Sequence, residues 1–118
     1  MANYDELPVF KACYDLILIV FDNVSGFSKE YKYTLGERLK NEMLEVMILV
    51  YRANNSANKV SMLRDAKEKL ELMRIYLRIL KDLKQINLKR FVFVNDKIEI
   101  ISKQLNAWLK WADQKSNA

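Results

Sequence analysis

Two long helical patterns joined by a very short connection constrain the fold of this chain most strongly. Apolar residues of the first pattern recur at alternating steps of three and four, which places them on one face of a helix: Leu63, Ala66, Leu70, Met73, Leu77 and Leu80. After residues 85–87 the same spacing begins again in a second helix: Phe91, Val94, Ile98, Ile101, Leu105, Trp108 and Ala112. Asn87 is the predicted N-cap of this helix. Each helix is about 40 Å long at about 1.5 Å per residue, and so short a connection makes the pair antiparallel.

A second apolar set widens the face of the first of these helices. Its members lie beside the apolar face just described, which we call the seam of the helix: Leu72, Ile75, Ile79, Leu83 and Ile86. An apolar arc wider than one bundle interior requires predicts contact with another surface, so we expect self-association. Trp111, just beyond the seam residue Trp108, is a candidate for that interface or for the core.

Two further helical patterns occupy the first half of the chain. Pro8 suits the first turn of a helix, and an apolar face follows it: Val9, Cys13, Leu16, Val20, Val24 and Phe27. Residues 27–33 are predicted to form a connection whose tyrosines pack over the end of the bundle. Thr34 and Glu37 match a capping box, so the next helix is expected to begin there and to end before the polar residues 54–58.

Four long amphipathic helices predict an all-α fold, namely an up-down-up-down antiparallel four-helix bundle in which residues 1–118 form a single domain. Two glycines and one proline are too few for a turn-rich all-β protein. Cys13 is the single cysteine, which favours a reducing cytoplasm. The apolar run 16–21 is too short to cross a membrane, and the acidic start of the chain does not match a signal peptide.

The residues that usually carry chemistry are scarce. Histidine is absent, which removes the Glu-x-x-His ligands of di-iron bundles, the usual zinc sites and the commonest general base. The sequence has no glycine-rich phosphate loop. Asp65, Glu68 and Glu71 alternate with cations at helical spacing, so ion pairs explain them better than catalysis does. We therefore expect no enzyme activity, no metal and no cofactor.

Positive charge is concentrated in the second half of the chain. Residues 1–59 carry seven Lys or Arg and eight Asp or Glu, a net charge of −1, whereas residues 60–118 carry thirteen and seven, a net charge of +6. Five cations in this half follow one another at intervals of three, seven, four and three residues and form a basic stripe: Arg64, Lys67, Arg74, Arg78 and Lys81. Three cations extend it in sequence: Lys84, Lys89 and Arg90. Because such a row can neutralise several phosphates, all eight are candidate nucleic-acid-binding residues.

The stripe has two interpretations, a phosphate-binding surface or a solvated helix face that keeps the protein soluble. If it binds nucleic acid, Arg74, Arg78 and Lys81 should lie on an outward face. No aromatic residue interleaves these cations as a base-stacking platform, and the nearest ring, Tyr76, falls off the stripe. We therefore expect phosphate contacts to dominate over base contacts.

Four segments also keep a characteristic order and spacing: KEYKYTLGERL at 29–39, LRILKDL at 77–83, LKRF at 88–91 and LNAWLK at 105–110. Together they resemble the accessory variability determinant (Avd) family of diversity-generating retroelements, over residues 9–111. That family is similar in turn to small bundles encoded by intervening sequences in bacterial large-subunit ribosomal RNA genes. Avd-like proteins often have two glycines before the tryptophan, where this chain has Asn106 and Ala107.

The resemblance implies a basic bundle that forms a homo-oligomer, typically a pentamer, without catalytic residues. Its implied partners are a retroelement reverse transcriptase and RNA or an RNA/DNA hybrid, and its implied role is to support mutagenic complementary-DNA synthesis. Stand-alone relatives lack a nearby reverse transcriptase. A second function therefore stays open, that of an oligomeric helical scaffold or RNA-binding bundle of the intervening-sequence type.

Overall fold

The computed structural model describes residues 3–116 and consists of helices and their connections. A 3₁₀ turn, Tyr4–Glu6, is followed by five α-helices: α1 (Pro8–Ser25), α2 (Lys29–Lys32), α3 (Leu35–Asn54), α4 (Val60–Asp82) and α5 (Leu88–Ser116). No strand occurs among the described residues. α2 is a single turn, so the other four helices confirm the predicted all-α four-helix bundle.

The four long helices stand at the corners of a square in cross-section. α3 packs against α1 and α4, and α5 packs against α4 and α1. The start of α1 lies beside the last turns of α5, where Pro8 and Trp108 line the same depression. All neighbouring helices are therefore antiparallel, and the body measures 50 × 21 × 21 Å.

The apolar seams predicted from the sequence meet in one core. All six seam residues of α4 are at most 2% exposed, and α5 contributes five buried residues: Val94, Ile98, Ile101, Leu105 and Ala112. Phe91 and Trp108 pack against the edge of this core. The flanking set of α4 lies partly outside it, since Ile75 is 54% and Ile79 39% exposed. The prediction of an apolar arc wider than the bundle interior is therefore confirmed for α4.

Two predicted helix starts are confirmed. Pro8 is the first residue of α1, where a missing backbone N–H leaves no hydrogen bond unmade. Asn87 caps α5, because its Oδ1 accepts a hydrogen bond of 2.8 Å from the backbone N–H of Arg90. This bond satisfies one of the amides that the first turn of a helix leaves without a partner.

The predicted capping box at the start of α3 is wrong, although the helix does begin after Thr34. The Thr34 hydroxyl donates a 2.8 Å hydrogen bond backwards, to the carbonyl oxygen of Glu30. The Glu37 carboxylate pairs instead with Lys40, at 2.9 Å. The physical reason is the short helix α2, which ends just before Thr34 and offers a carbonyl acceptor within reach.

The connection between α1 and α3 contains the helical turn α2 rather than an irregular loop. Phe27 lies beyond the end of α1 and is still buried. Tyr31 packs against the core, as predicted for a residue that covers the bundle end. The same prediction is wrong for Tyr33, which is 63% exposed and lies beside Lys32, with the ammonium 5.9 Å from the ring centroid.

Lys59 closes the end of α3. Its ammonium donates hydrogen bonds to the carbonyl oxygens of Ala53 and Ser56, at 2.7 and 2.6 Å. The last carbonyls of a helix have no partner within it, and a cation there also complements the helix dipole. The same ammonium lies 6.0 Å from the Trp108 ring centroid, so one side chain links the α3–α4 connection to α5.

Cys13 lies in the core with no exposed surface. Burial raises the pKa of its thiol from 9.0 to about 12, which confirms the prediction of a buried small side chain over a reactive thiol. The folded state therefore holds this proton more tightly than the unfolded state does. The resulting stabilisation is complete below the unfolded pKa and is lost as the pH rises through the folded pKa.

Truncation of a seam leucine tests the core. Leu77→Ala should lower the free energy of unfolding by about 2–5 kcal/mol, because it leaves a cavity among fully packed side chains. Leu88→Ala is the matched control, since Leu88 is 65% exposed and Leu77 only 2%. In denaturant titrations the control should change stability by about 0.5 kcal/mol or less. Equal effects of the two substitutions would contradict the assignment of the seam.

The two glycines provide a second test of packing. A Cβ added at Gly36 would lie 2.7 Å from Cγ1 of Val24 and 3.1 Å from the carbonyl oxygen of Tyr31, whereas at Gly26 the nearest atom is 3.6 Å away. Gly36→Ala should therefore destabilise the bundle by about 1–3 kcal/mol, although alanine favours helices. Gly26→Ala should be nearly neutral. Thermal denaturation of both variants measures the difference, and a stabilised Gly36→Ala protein would contradict the close approach of α1 and α3.

Candidate nucleic-acid interface

The basic stripe of α4 lies along the boundary with α5. At one end of the bundle, Arg64 stands 3.7 Å from the Asp113 carboxylate. Towards the other end, the Lys81 ammonium lies 4.9 Å from the ring centroid of Phe91. Both partners belong to α5, so the stripe is a row between two helices rather than an isolated outward face.

Arg74, in the middle of this row, is held by two carboxylates. Its guanidinium donates a 2.7 Å hydrogen bond to Glu99 of α5 and lies 3.5 Å from Glu71 of its own helix. Its side chain is only 28% exposed. The expectation that Arg74 faces outward with Arg78 is therefore corrected: the charge of Arg74 joins α4 to α5 and is already balanced.

Other predicted cations are better placed for an external partner. Arg78, Lys84, Lys89 and Arg90 are exposed, and Lys67 is half-buried. None of these five forms an ion pair with a carboxylate of residues 3–116. Their charges are therefore available to phosphates, in contrast to that of Arg74.

The turn between α4 and α5 places Lys84 on the surface. Lys84 adopts a left-handed conformation with φ 63°, and the backbone N–H of Gln85 donates to the carbonyl oxygen of Leu80 at 2.9 Å. This bond pattern ends a helix sharply and usually employs glycine at the left-handed position. The Gln85 side chain in turn accepts a 2.8 Å hydrogen bond from the backbone N–H of Ser28, so the α4–α5 turn is tied to the α1–α2 connection.

Exposed cations gather at this end of the bundle. The α4–α5 turn region supplies Arg78, Lys84, Lys89 and Arg90, and the α1–α3 connection beside it supplies Lys29 and the half-buried Lys32. We call these six residues the basic end. Acidic residues at the same end are fewer: Asp22, Glu30, Glu37 and Asp82. In the predicted stripe, the charge of Arg74 in the middle is thus balanced by carboxylates, whereas the cations at the basic end form no ion pair with a carboxylate of residues 3–116.

Arg90 lies on a different side of α5 from the row. It is nine residues from Glu99, the α5 partner of Arg74, and nine residues are about two and a half helical turns. Arg90 consequently faces the α1 side, where it lines a depression with Asp22 and Asn23. The eight predicted residues therefore do not form one continuous stripe.

The sequence analysis missed an aromatic residue among these cations. Phe93 is 41% exposed, and its ring centroid lies 5.5 Å from the guanidinium carbon of Arg90 and 5.4 Å from the Lys97 ammonium. The expectation that no ring interleaves the cations holds for Tyr76 on α4, but it is wrong for α5. The steps of three and four that join Arg90, Phe93 and Lys97 were a sequence signal for this contact.

All four long helices expose apolar side chains. Those of α4 and α5 include Ile75, Ile79, Ile100 and Trp111, which is 49% exposed and therefore not a core residue. The α1–α3 side, which the sequence analysis did not single out, carries a further set: Tyr14, Leu18, Phe21, Ile48 and Tyr51. Apolar surface on this scale is typical of contacts between proteins.

Asn106 and Ala107 are both exposed. Ala107 lines a shallow depression between the start of α1 and the last turns of α5, together with Leu7, Pro8 and Trp108. No close approach of helices occurs at Asn106 and Ala107. Both positions therefore present open surface.

No group of three or more His, Cys, Asp or Glu side chains in the described part of the chain is arranged to hold a metal ion. No described helix has both the length and the apolar character needed to cross a membrane.

The fold and its surface define a small antiparallel helical bundle that carries a cluster of unpaired cations at one end and exposed apolar side chains on its long helices. The bAvd-like family model matches residues 9–112. The chain therefore belongs to the bAvd-like family, which confirms the Avd resemblance of its sequence. No curated protein matches the chain.

Proposed function

We propose that this protein is a non-catalytic, nucleic-acid-binding accessory protein of a diversity-generating retroelement. It binds the reverse transcriptase and its template RNA in the cytoplasm and supports mutagenic complementary-DNA synthesis. The observation that carries this proposal is the bAvd-like family match over residues 9–112. The uneven charge supports it, because binding to a polyanion is driven largely by the release of counterions from phosphates.

Residues of the basic end are the ones we assign to phosphate contact, together with Lys67 and Lys81 on the row. Lys81 retains 33% exposure of its side chain although it lies 3.8 Å from Asp82. Arg64 is more weakly engaged than Arg74, since its side chain is 64% exposed and its carboxylate partner is 3.7 Å away. Arg74 serves the fold instead.

Assembly into a ring, a homopentamer by family resemblance, fits the two apolar sides. A ring requires a heterologous contact, in which one surface of a subunit meets a different surface of the next. The α1–α3 side supplies one apolar surface, and the exposed apolar residues of α4 and α5 supply another. Residues 1–59 carry a net charge of −1 and residues 60–118 a net charge of +6, so contact between unlike halves meets less repulsion than contact between two basic halves.

A second candidate function keeps this assembly and omits the reverse transcriptase. The apolar sides favour it, because they require only a second copy of the chain. In that case the protein is an oligomeric scaffold or RNA-binding bundle of the intervening-sequence type. If the purified protein binds no RNA, it is a plain scaffold. If it binds RNA, co-purification with a reverse transcriptase encoded beside its gene distinguishes the retroelement accessory protein from the RNA-binding bundle of the intervening-sequence type.

Self-association is testable by light scattering at micromolar concentration. A pentamer of the 14.0 kDa chain has a mass of about 70 kDa (five times 14.0). Ile48→Glu should reduce the mass towards that of the monomer, because it places a charge on the apolar α1–α3 side. Ser61→Glu adds the same charge at an exposed position of α4 and should leave the mass unchanged. A monomeric parent protein would contradict the assembly.

The role of the basic end is testable with a salt series of RNA-binding isotherms. The triple variant Arg78→Gln, Lys84→Gln and Lys89→Gln should weaken binding of structured RNA on the order of tenfold or more at ~0.1 M salt, and should reduce the salt slope by up to about 3. Its control removes the same charge near the opposite end of the bundle, with Lys11→Gln, Arg52→Gln and Lys110→Gln.

The control variant should bind more tightly than the basic-end variant, and both should keep parental helicity. Equal affinities and slopes for the two variants would show that net charge, rather than the basic end, determines binding. Negligible binding by the parent protein at low salt would contradict RNA binding and favour the scaffold.

A further inference from the structure

We propose that Phe93, flanked by Arg90 and Lys97, is a stacking site for an unpaired base of single-stranded RNA. The inference rests on the proposed function, since it requires that the protein bind RNA at all. It adds a preference for unpaired strands, which a phosphate-binding surface does not have by itself.

The geometry of the first three turns of α5 carries the argument. Arg90, Phe93 and Lys97 follow one another at steps of three and four and so share one face of the helix. The two cations approach the ring from opposite directions along the helix, with 5.5 and 5.4 Å to its centroid. They are seven residues apart, about 10.5 Å along the helix axis. A base on the ring would therefore have a cation near the phosphate on each side.

Phe93 is not needed by the core. Phe91, two residues earlier, is the phenylalanine that packs against the buried cluster, and it lies under Lys81 of α4. Phe93 points to the other side of the helix and is 41% exposed. Beside it is an open depression of about 420 Å³ whose lining includes Lys89, Val92 and Asp96.

Two other exposed rings, Tyr4 and Tyr51, are partly covered by aromatic neighbours, whereas Phe93 is not. Tyr4 packs edge-on against Phe10 and Tyr51, with ring centroids 5.0 and 4.9 Å apart. Phe93 has no aromatic partner among residues 3–116. The ring therefore keeps surface that an incoming base can cover, and every base has a face suitable for stacking.

Charge distinguishes nucleic acid from a second copy of the chain as the occupant. Three cations surround the ring, Lys89, Arg90 and Lys97, and the nearest acidic residues are Asp96 and, beyond Arg90, Asp22. The cores of protein–protein interfaces are depleted of lysine, because its ammonium is costly to desolvate. A polyanion neutralises these charges and also supplies a planar ring, so it fits both features of the site.

The test compares a single-stranded oligouridylate with a blunt RNA duplex of equal length. Phe93→Leu removes the ring and keeps an apolar side chain. It should weaken binding of the single strand roughly 5- to 100-fold, with little change for the duplex and an unchanged salt slope. Phe93→Trp should bind the single strand at least as tightly as the parent. Leu88→Ala is the control, because it removes an exposed apolar side chain from the same end of α5 without removing a ring.

A strand with one 2-aminopurine gives a direct readout, since stacking on the ring quenches its emission in the parent and in Phe93→Trp but not in Phe93→Leu. Unchanged single-strand affinity of Phe93→Leu, in a parent protein that binds RNA, would overturn this inference alone. A parent that binds neither probe would overturn the proposed function as well. A changed oligomer mass in Phe93→Leu would assign the ring to a subunit contact and would also overturn the inference.

Discussion

Burial of the α4 seam between α3 and α5 determines where the remaining side chains of that helix lie. Its six residues face the core, so the residues on the two flanks face the neighbouring helices. Lys69 reaches α3, where its hydrogen bond with Glu45 raises the pKa of the ammonium. Arg74 reaches Glu99 of α5. Lys69 and Arg74 on the flanks of α4 thus meet carboxylates of the next helices, whereas Lys67 and Arg78 form no ion pair with a carboxylate of residues 3–116.

The same burial leaves apolar surface that the monomer does not use. α4 needs one seam for the core, yet Ile75 and Ile79 extend its apolar arc into solvent. On the opposite side, Tyr14 and Leu18 of α1 are 51% and 57% exposed. These exposed apolar groups do not add to the core of one bundle, and apolar surface of this extent is typical of contacts between proteins.

The helices and the core could be predicted from the sequence because both follow from periodicity within one segment. The seam of α4 and the Asn87 cap are examples. The environment of a side chain between helices depends instead on which helix stands beside it. The sequence of α4 alone does not show that Glu99 of α5 lies opposite Arg74. The sequence around Thr34 likewise does not show that α2 offers its hydroxyl a nearer acceptor. The contact of Phe93 with Arg90 and Lys97 was not predicted, because it lies within α5 and the basic stripe was defined on α4.

The chain turns bring two connections, and the cations of both, to one end of the bundle. In an up-down-up-down bundle the α1–α3 and α4–α5 connections meet at the same end, and here the Ser28 amide is bonded to Gln85. These connections carry a class of cations that form no ion pair with a carboxylate of residues 3–116, although four acidic residues lie at the same end. Lys84, held outside by the left-handed turn, and Arg90, in the first turn of α5, belong to this class. The phosphate contact that we propose for the basic end thus uses cations that the connectivity of the bundle brings together, and Phe93 lies beside them, one turn further along α5 than Arg90.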